Sequence, residues 1–150
     1  MIAIHKMIAS VLGIGYLRPA SGTWGTAAAV VFVYLSSVYL QYSLYQNMVS
    51  ILGLIVVGTF SINKVLEIWG KDPKNVVIDE FVGYLITIAF VPFTLKNLII
   101  AFFIFRFLDI LKPLGIRYFD NIDNAFGVMF DDVAAGLYGM IIMLIIHYFA

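Results

Sequence analysis

Three short acidic motifs interrupt otherwise apolar surroundings in this chain: Ile78-Asp79-Glu80, Arg106-x-x-Asp109-x-x-Lys112-Pro113 and Asp131-Asp132. Each adjoins an apolar segment, so each sets ionisable groups at the end of a stretch that lipid or a protein core would hold. Carboxylates crowded at a membrane boundary repel one another, and an unpaired charge buried there is costly. A divalent cation resolves the conflict. Mg2+ prefers oxygen ligands and is commonly held by one or two carboxylates together with a substrate phosphate. Asp79, Glu80, Asp109, Asp131 and Asp132 are therefore the candidate metal ligands and catalytic groups. A simpler account competes. Arg106 and Lys112 lie three residues either side of Asp109, where helical ion pairs form, and acids are favoured in the first turn of a helix by its macrodipole. That account treats each motif separately and leaves two adjacent acidic pairs at the starts of apolar segments unexplained.

A second candidate is the glycine-rich stretch from Gly13 to Thr26, which precedes the first long apolar segment. Glycines allow close backbone approach, free N–H groups at a helix start favour an anion, and Arg18 and Thr23 add donors, so a phosphate fits there. A turn with a helix cap and an interfacial Trp24 is the plainer reading. Cysteine is absent, which excludes disulfides, thiolate catalysis and cysteine-based zinc sites. His5 and His147 are far apart in sequence and have no partner at helical spacing, so they are not expected to take part in chemistry.

These groups must be positioned by membrane helices. The chain is 63% hydrophobic and 12% charged, against about 25% charged in a soluble domain, and Pro19 to Asn63 contains no Lys, Arg, Asp or Glu. Those 45 residues exceed twice the roughly 20 needed for one crossing. Five apolar segments follow from the punctuation: about Trp24 to Leu40, Met48 to Asn63, Phe81 to Leu95, Asn97 to Leu108, and Val133 to Phe149. They do not alternate as barrel strands would, so helix is expected. The third and fourth are short unless they extend back to about Val76 and on to about Leu111. Met1 to Leu17 reads as an amphipathic or re-entrant segment rather than a cleaved signal. The expectation is an all-α polytopic membrane protein, one domain over residues 1–150, with about four to five membrane-embedded helices.

If each segment crosses, the loops alternate between faces. One face receives Arg18, Lys64, Lys71, Lys74, Arg106, Lys112 and Arg117, the other Lys96 alone, so the first is expected to be cytoplasmic. The nine carboxylates fall on that same face, Glu67, Asp72, Asp120 and Asp123 among them. Net charge is zero and no basic surface suggests nucleic acid.

The motifs resemble those of the phosphatidylglycerophosphatase A family over essentially the whole chain. The resemblance is carried by Gly-x-Gly-Tyr-Leu-x-x-Ala-x-Gly-Thr-x-Gly at Gly13 to Gly25, Asp-Pro at Asp72 and Pro73, Val-Ile-Asp-Glu-x-x-Gly at Val77 to Gly83, Phe-Arg-x-x-Asp-x-x-Lys-Pro at Phe105 to Pro113, and Asp-Asp-x-x-Ala-Gly at Asp131 to Gly136. Departures are Ser21, where proline is more usual, and Lys71, where histidine is common before Asp-Pro. The resemblance implies Mg2+-dependent hydrolysis of phosphatidylglycerophosphate to phosphatidylglycerol and phosphate, in phospholipid biosynthesis at the cytoplasmic face of the bacterial inner membrane. On that basis the five acids bind Mg2+, Glu80 is a candidate general base, and Arg18, Thr23, Arg106 and Lys112 neutralise phosphoryl charge. The rival reading is a cation carrier or channel using the same acids, which would favour ionisable groups near the midplane or interrupted, repeated helices. The sequence leaves the oligomeric state open.

Overall fold

A computed structural model describes residues 2–70, 73–113 and 115–149. Lys71 and Asp72, placed above on the basic face, lie outside the described residues, as does the side chain of Asp120. The described residues form helices and turns without strands: α1 (Ile2–Ala9), a short 3-10 turn (Ile14–Tyr16), α2 (Ser21–Tyr39), α3 (Leu44–Trp69), α4 (Ile78–Thr87), α5 (Leu95–Leu111), α6 (Arg117–Asp120) and α7 (Ala125–Phe149). The all-α expectation holds. Three helices, α2, α3 and α7, are long and apolar enough to cross a membrane. At 1.5 Å per residue α5 spans about 25 Å and α4 about 15 Å, so α4 is too short to cross alone.

Helix limits follow local chemistry more than hydropathy. The α3 start is set by a capping box, in which Gln46 N–H donates to Ser43 Oγ and Ser43 N–H donates to Gln46 Oε1. Its other end passes the charged residues Lys64 and Glu67, which pair at 3.6 Å, and stops at Gly70 with φ 79°. The third apolar segment, expected to run to Leu95, instead ends as helix at Thr87, and a turn through Pro92 leads to α5, capped by Thr94. In α7 the correction is larger. Asn124 Oδ1 accepts hydrogen bonds from the Phe126 and Gly127 amides, so the helix begins at Ala125 and not near Val133. Asp131 and Asp132 consequently sit in the second turn of α7. They do not begin a helix, and the macrodipole does not account for them.

The core is built around α4, whose residues are buried throughout except Glu80, which is partly buried. It packs against α2, α3, α5 and α7. Polar groups at this depth must find protein partners. Asn47 of α3, fully buried, donates to the Leu85 carbonyl at 3.1 Å, and Tyr84 donates to the Leu98 carbonyl at 3.0 Å. The α4–α7 seam is made of glycine: a Cβ on Gly136 would lie 2.5 Å from the Gly83 carbonyl oxygen, and one on Gly83 would lie 2.7 Å from the Asp132 carbonyl oxygen. Backbone therefore meets backbone, the close approach that small residues permit between membrane helices. The N-terminal segment is helical over α1 and packs on α3, with His5 Nδ1 3.2 Å from Ser61 Oγ.

Candidate functional site

The first turn of α4 and the second turn of α7 meet just below the glycine seam. There Asp79, Glu80 and Asp132 each offer a carboxylate oxygen, and these oxygens lie within 4.8 Å of one another. Asp79 and Asp132 are 7% and 4% exposed. Asp79 Oδ1, Glu80 Oε2 and Asp132 Oδ1 are all buried without a hydrogen-bond partner among the described residues. Unpartnered carboxylate oxygens in three adjacent groups are the donor set that an oxygen-seeking divalent cation requires, so the residues fit a metal.

The remaining two acids are arranged differently. Arg106 pairs with Asp109 on α5, as their spacing allowed. Lys112 reaches across to α7, where its Nζ lies 2.6 Å from Asp131 Oδ2, and Asp131 Oδ1 accepts from the Asp132 amide at 2.9 Å. Adjacent helical residues point about 100° apart, which is why Asp131 faces Lys112 while Asp132 faces the α4 carboxylates. Five sequence candidates thus divide into a three-carboxylate cluster and two carboxylates held by bases. Burial pushes the Asp79 and Glu80 carboxyls above the usual carboxylate range, and the charges of Asp79 and Asp109 push Glu80 further against a weaker pull from Arg106. A cation at the cluster would favour the ionised forms.

The cluster opens into a cavity of about 550 Å³ whose lining includes all five acids and Lys112, with Ser21, Lys74, Asp123 and Asn124 around them. This is within the usual size of small-ligand sites. The glycine-rich stretch supplies one wall. A Cβ on Gly22 would fall 2.2 Å from Glu80 Oε1 and 3.1 Å from Arg106 Nη1, so the first turn of α2 lies directly against the acids. Arg106 supports the site from behind through Asp109. Arg18 and Thr23 do not line the cavity. Arg18 is exposed and donates to the Lys74 carbonyl at 3.2 Å and to Asn75 Oδ1 at 2.7 Å, while Ser21 Oγ donates to the same Lys74 carbonyl at 2.6 Å. Sequence reasoning passed over Ser21, Lys74 and Asn124. Ser21 and Lys74 lay within or beside the motifs, whereas Asn124 carried only the signal of a helix cap before an apolar run.

A family model described as phosphatidylglycerophosphatase A matches residues 7–147. The chain is 36% identical to the phosphatidylglycerophosphatase A of Haemophilus influenzae, over 97% of this chain and 89% of that protein. It is 37% identical to the Escherichia coli protein of the same name, over 87% of this chain and 76% of that protein. A Bacteroides thetaiotaomicron protein bearing the provisional name phosphatidylinositol-3-phosphatase is 35% identical, over 93% of this chain and 91% of that protein. No solved structure matches the chain significantly.

Proposed function

The chain belongs to the phosphatidylglycerophosphatase A family of membrane lipid phosphatases, and from that premise we propose that its acidic cavity hydrolyses phosphatidylglycerophosphate with the help of Mg2+. The observation that carries this reading is the set of unpartnered, buried carboxylate oxygens of Asp79, Glu80 and Asp132 facing one cavity. These three residues would hold the cation, which supplies polarisation of the phosphoryl group and a lowered pKa for bound water. Asp131 and Asp109 keep Lys112 and Arg106 in place beside them. Lys112 offsets charge on the phosphoryl oxygens as the water oxygen bonds to phosphorus and the ester oxygen departs with the shared electron pair. Glu80 takes the proton of the attacking water and passes it to the leaving glycerol oxygen, so the step consumes no proton overall. Arg18 acts indirectly, by holding the loop that walls the cavity.

The lipid chains stay in the bilayer and the headgroup reaches the helix ends. We place the site at the cytoplasmic face of the bacterial inner membrane, from the basic residues that share its side, and the reaction in phospholipid biosynthesis. Both lipids named for the relatives carry a phosphomonoester on a headgroup that is itself joined through a phosphodiester, so this pair of phosphates defines the substrate class. The test is phosphate release from phosphatidylglycerophosphate by the purified protein with Mg2+ or EDTA, beside Asp132→Asn and Asp79→Asn. Release is expected only from the wild type with Mg2+. Equal release in every sample defeats the metal reading, and ion flux without release supports a carrier instead.

A further inference from the structure

A shallow groove of about 450 Å³ opens between α3 and the start of α7, lined by Thr59, Phe60, Asn63, Asn124, Ala125 and Phe126. Asn124 also lines the acidic cavity, so the two spaces adjoin. α3 meets the cavity at Leu66 and the groove at Asn63, Phe60 and Thr59. Passing from cavity to groove therefore means moving back along α3, away from its charged end at Lys64 and Glu67 and into its apolar, membrane-crossing stretch. A Cβ on Gly58, beside Thr59, would lie 2.8 Å from Met129 Cε and 3.2 Å from Ile78 Cγ1. The inner end of the groove is thus level with the α4 turn that begins at Ile78 and carries Asp79 and Glu80.

The two spaces differ in chemistry. The cavity holds five acids with Lys74 and Lys112, whereas none of the residues lining the groove is charged. Phe60 and Phe126 are 57% and 48% exposed, and each ring is held, Phe60 by the His5 ring 5.4 Å away and Phe126 by stacking on Phe130 at 3.9 Å. Beside these rings stand neutral donors. Asn124 spends its Oδ1 on the Phe126 and Gly127 amides, which leaves its Nδ2 to donate, and the exposed Asn63 carboxamide forms no hydrogen bond among the described residues. Charge complementarity therefore sends phosphate to the cavity and a neutral, amphipathic group to the groove. The glycerol end of a phospholipid is such a group: its ester carbonyls accept hydrogen bonds, and its acyl chains leave past aromatic rings of the kind that gather at a membrane interface. We propose that the α3–α7 groove is the lateral entrance for the lipid and holds the glycerol ester region of the bound substrate, with the phosphates beyond Asn124 in the cavity. The inference rests on the phosphatase reading above.

The chain has no cysteine, so a single introduced thiol reports a single position. The experiment labels full-length Asn63→Cys and Val56→Cys proteins with benzyl methanethiosulfonate in neutral-detergent micelles with Mg2+. Val56, 70% exposed on the same helix and lining neither space, is the control. Phosphatidylglycerol at about ten times its Ki for phosphate release should slow labelling of Asn63→Cys about tenfold by mass action and leave Val56→Cys unchanged. Glycerophosphoglycerol, the same headgroup without acyl chains, should protect neither. Once labelled, Asn63→Cys should lose at least about tenfold in kcat/KM for phosphatidylglycerophosphate and regain it on thiol reduction, with Val56→Cys unaffected. Equal protection of both positions, or of neither, overturns the inference while leaving the phosphatase reading intact. So does protection without the loss in kcat/KM, or protection of Asn63→Cys by glycerophosphoglycerol, which would assign the groove to the headgroup. A wild type that releases no phosphate overturns the proposed function, and the identity of the occupant with it.

Discussion

Adding one methyl group at Gly136, which touches neither the acids nor the substrate, should disable the site. The Cβ of an alanine there would sit 2.5 Å from the Gly83 carbonyl oxygen and 3.1 Å from the Gly83 Cα, whereas ordinary contact begins at 3.4 Å. The obstacle is the Gly83 backbone, with the Ile86 Cβ also at 3.1 Å, and neither can swing away by a change of rotamer. Relief requires α4 and α7 to part by about 0.9 Å at this level. Gly136 is one turn beyond Asp132, and Gly83 is one turn beyond Asp79, so the parting is transmitted to the carboxylates almost undiminished. Mg2+ tolerates little deviation from ligand distances of about 2.1 Å, and a misplacement of about 1 Å at a reacting centre lowers rate by about 100-fold. Overpacking of this kind costs about 1–3 kcal/mol of stability. Gly136→Ala should therefore lower kcat far more than its modest fall in thermal midpoint, and raise the Mg2+ concentration needed for half-maximal phosphate release. Gly53→Ala on α3, where a Cβ meets nothing within 4 Å, is the control and should match wild type. Full activity at ordinary Mg2+ in a folded Gly136→Ala protein would refute the claim that the glycine seam sets the geometry of the acids.

Two further changes test the supports of the site. Asn47→Ala removes the donor to the buried Leu85 carbonyl, which should cost about 1–3 kcal/mol in detergent unfolding with KM unchanged; an unaltered midpoint would show that the carbonyl finds another partner. Lys112→Met leaves Asp131, 7% exposed, without the ammonium 2.6 Å away. Stability should fall by about 1–3 kcal/mol and phosphate release by at least about tenfold, and Asp131→Asn in the same chain should recover part of the stability but not the activity. Recovery of both would reduce the pair to a structural role.

Much of this protein is legible in its residue pattern because lipid imposes a simple rule. A charge-free run of 45 residues has to be helical in a bilayer, and ionisable residues have to gather at helix ends or in protein interiors. Asp79, Glu80, Asp109, Asp131 and Asp132 were recognisable as one set on those grounds. The start of α7 was misplaced by eight residues because hydropathy marks where a helix is apolar, whereas a helix begins where its first amides are capped, here by Asn124. Arg18 attracted attention as a charge beside a glycine-rich stretch, yet its donors are spent on the loop at Lys74 and Asn75.

The sequence by itself determined the helical class and the family resemblance, since these depend on composition and on order along the chain. Only the tertiary structure decided that Asp79, Glu80 and Asp132 converge while Asp131, and not Asp109, takes Lys112. That division depends on how closely α4 approaches α7 and on the rotation of each helix about its axis. Both are settled where Gly83 and Gly136 let two backbones touch, a contact between residues 53 positions apart that no local pattern records.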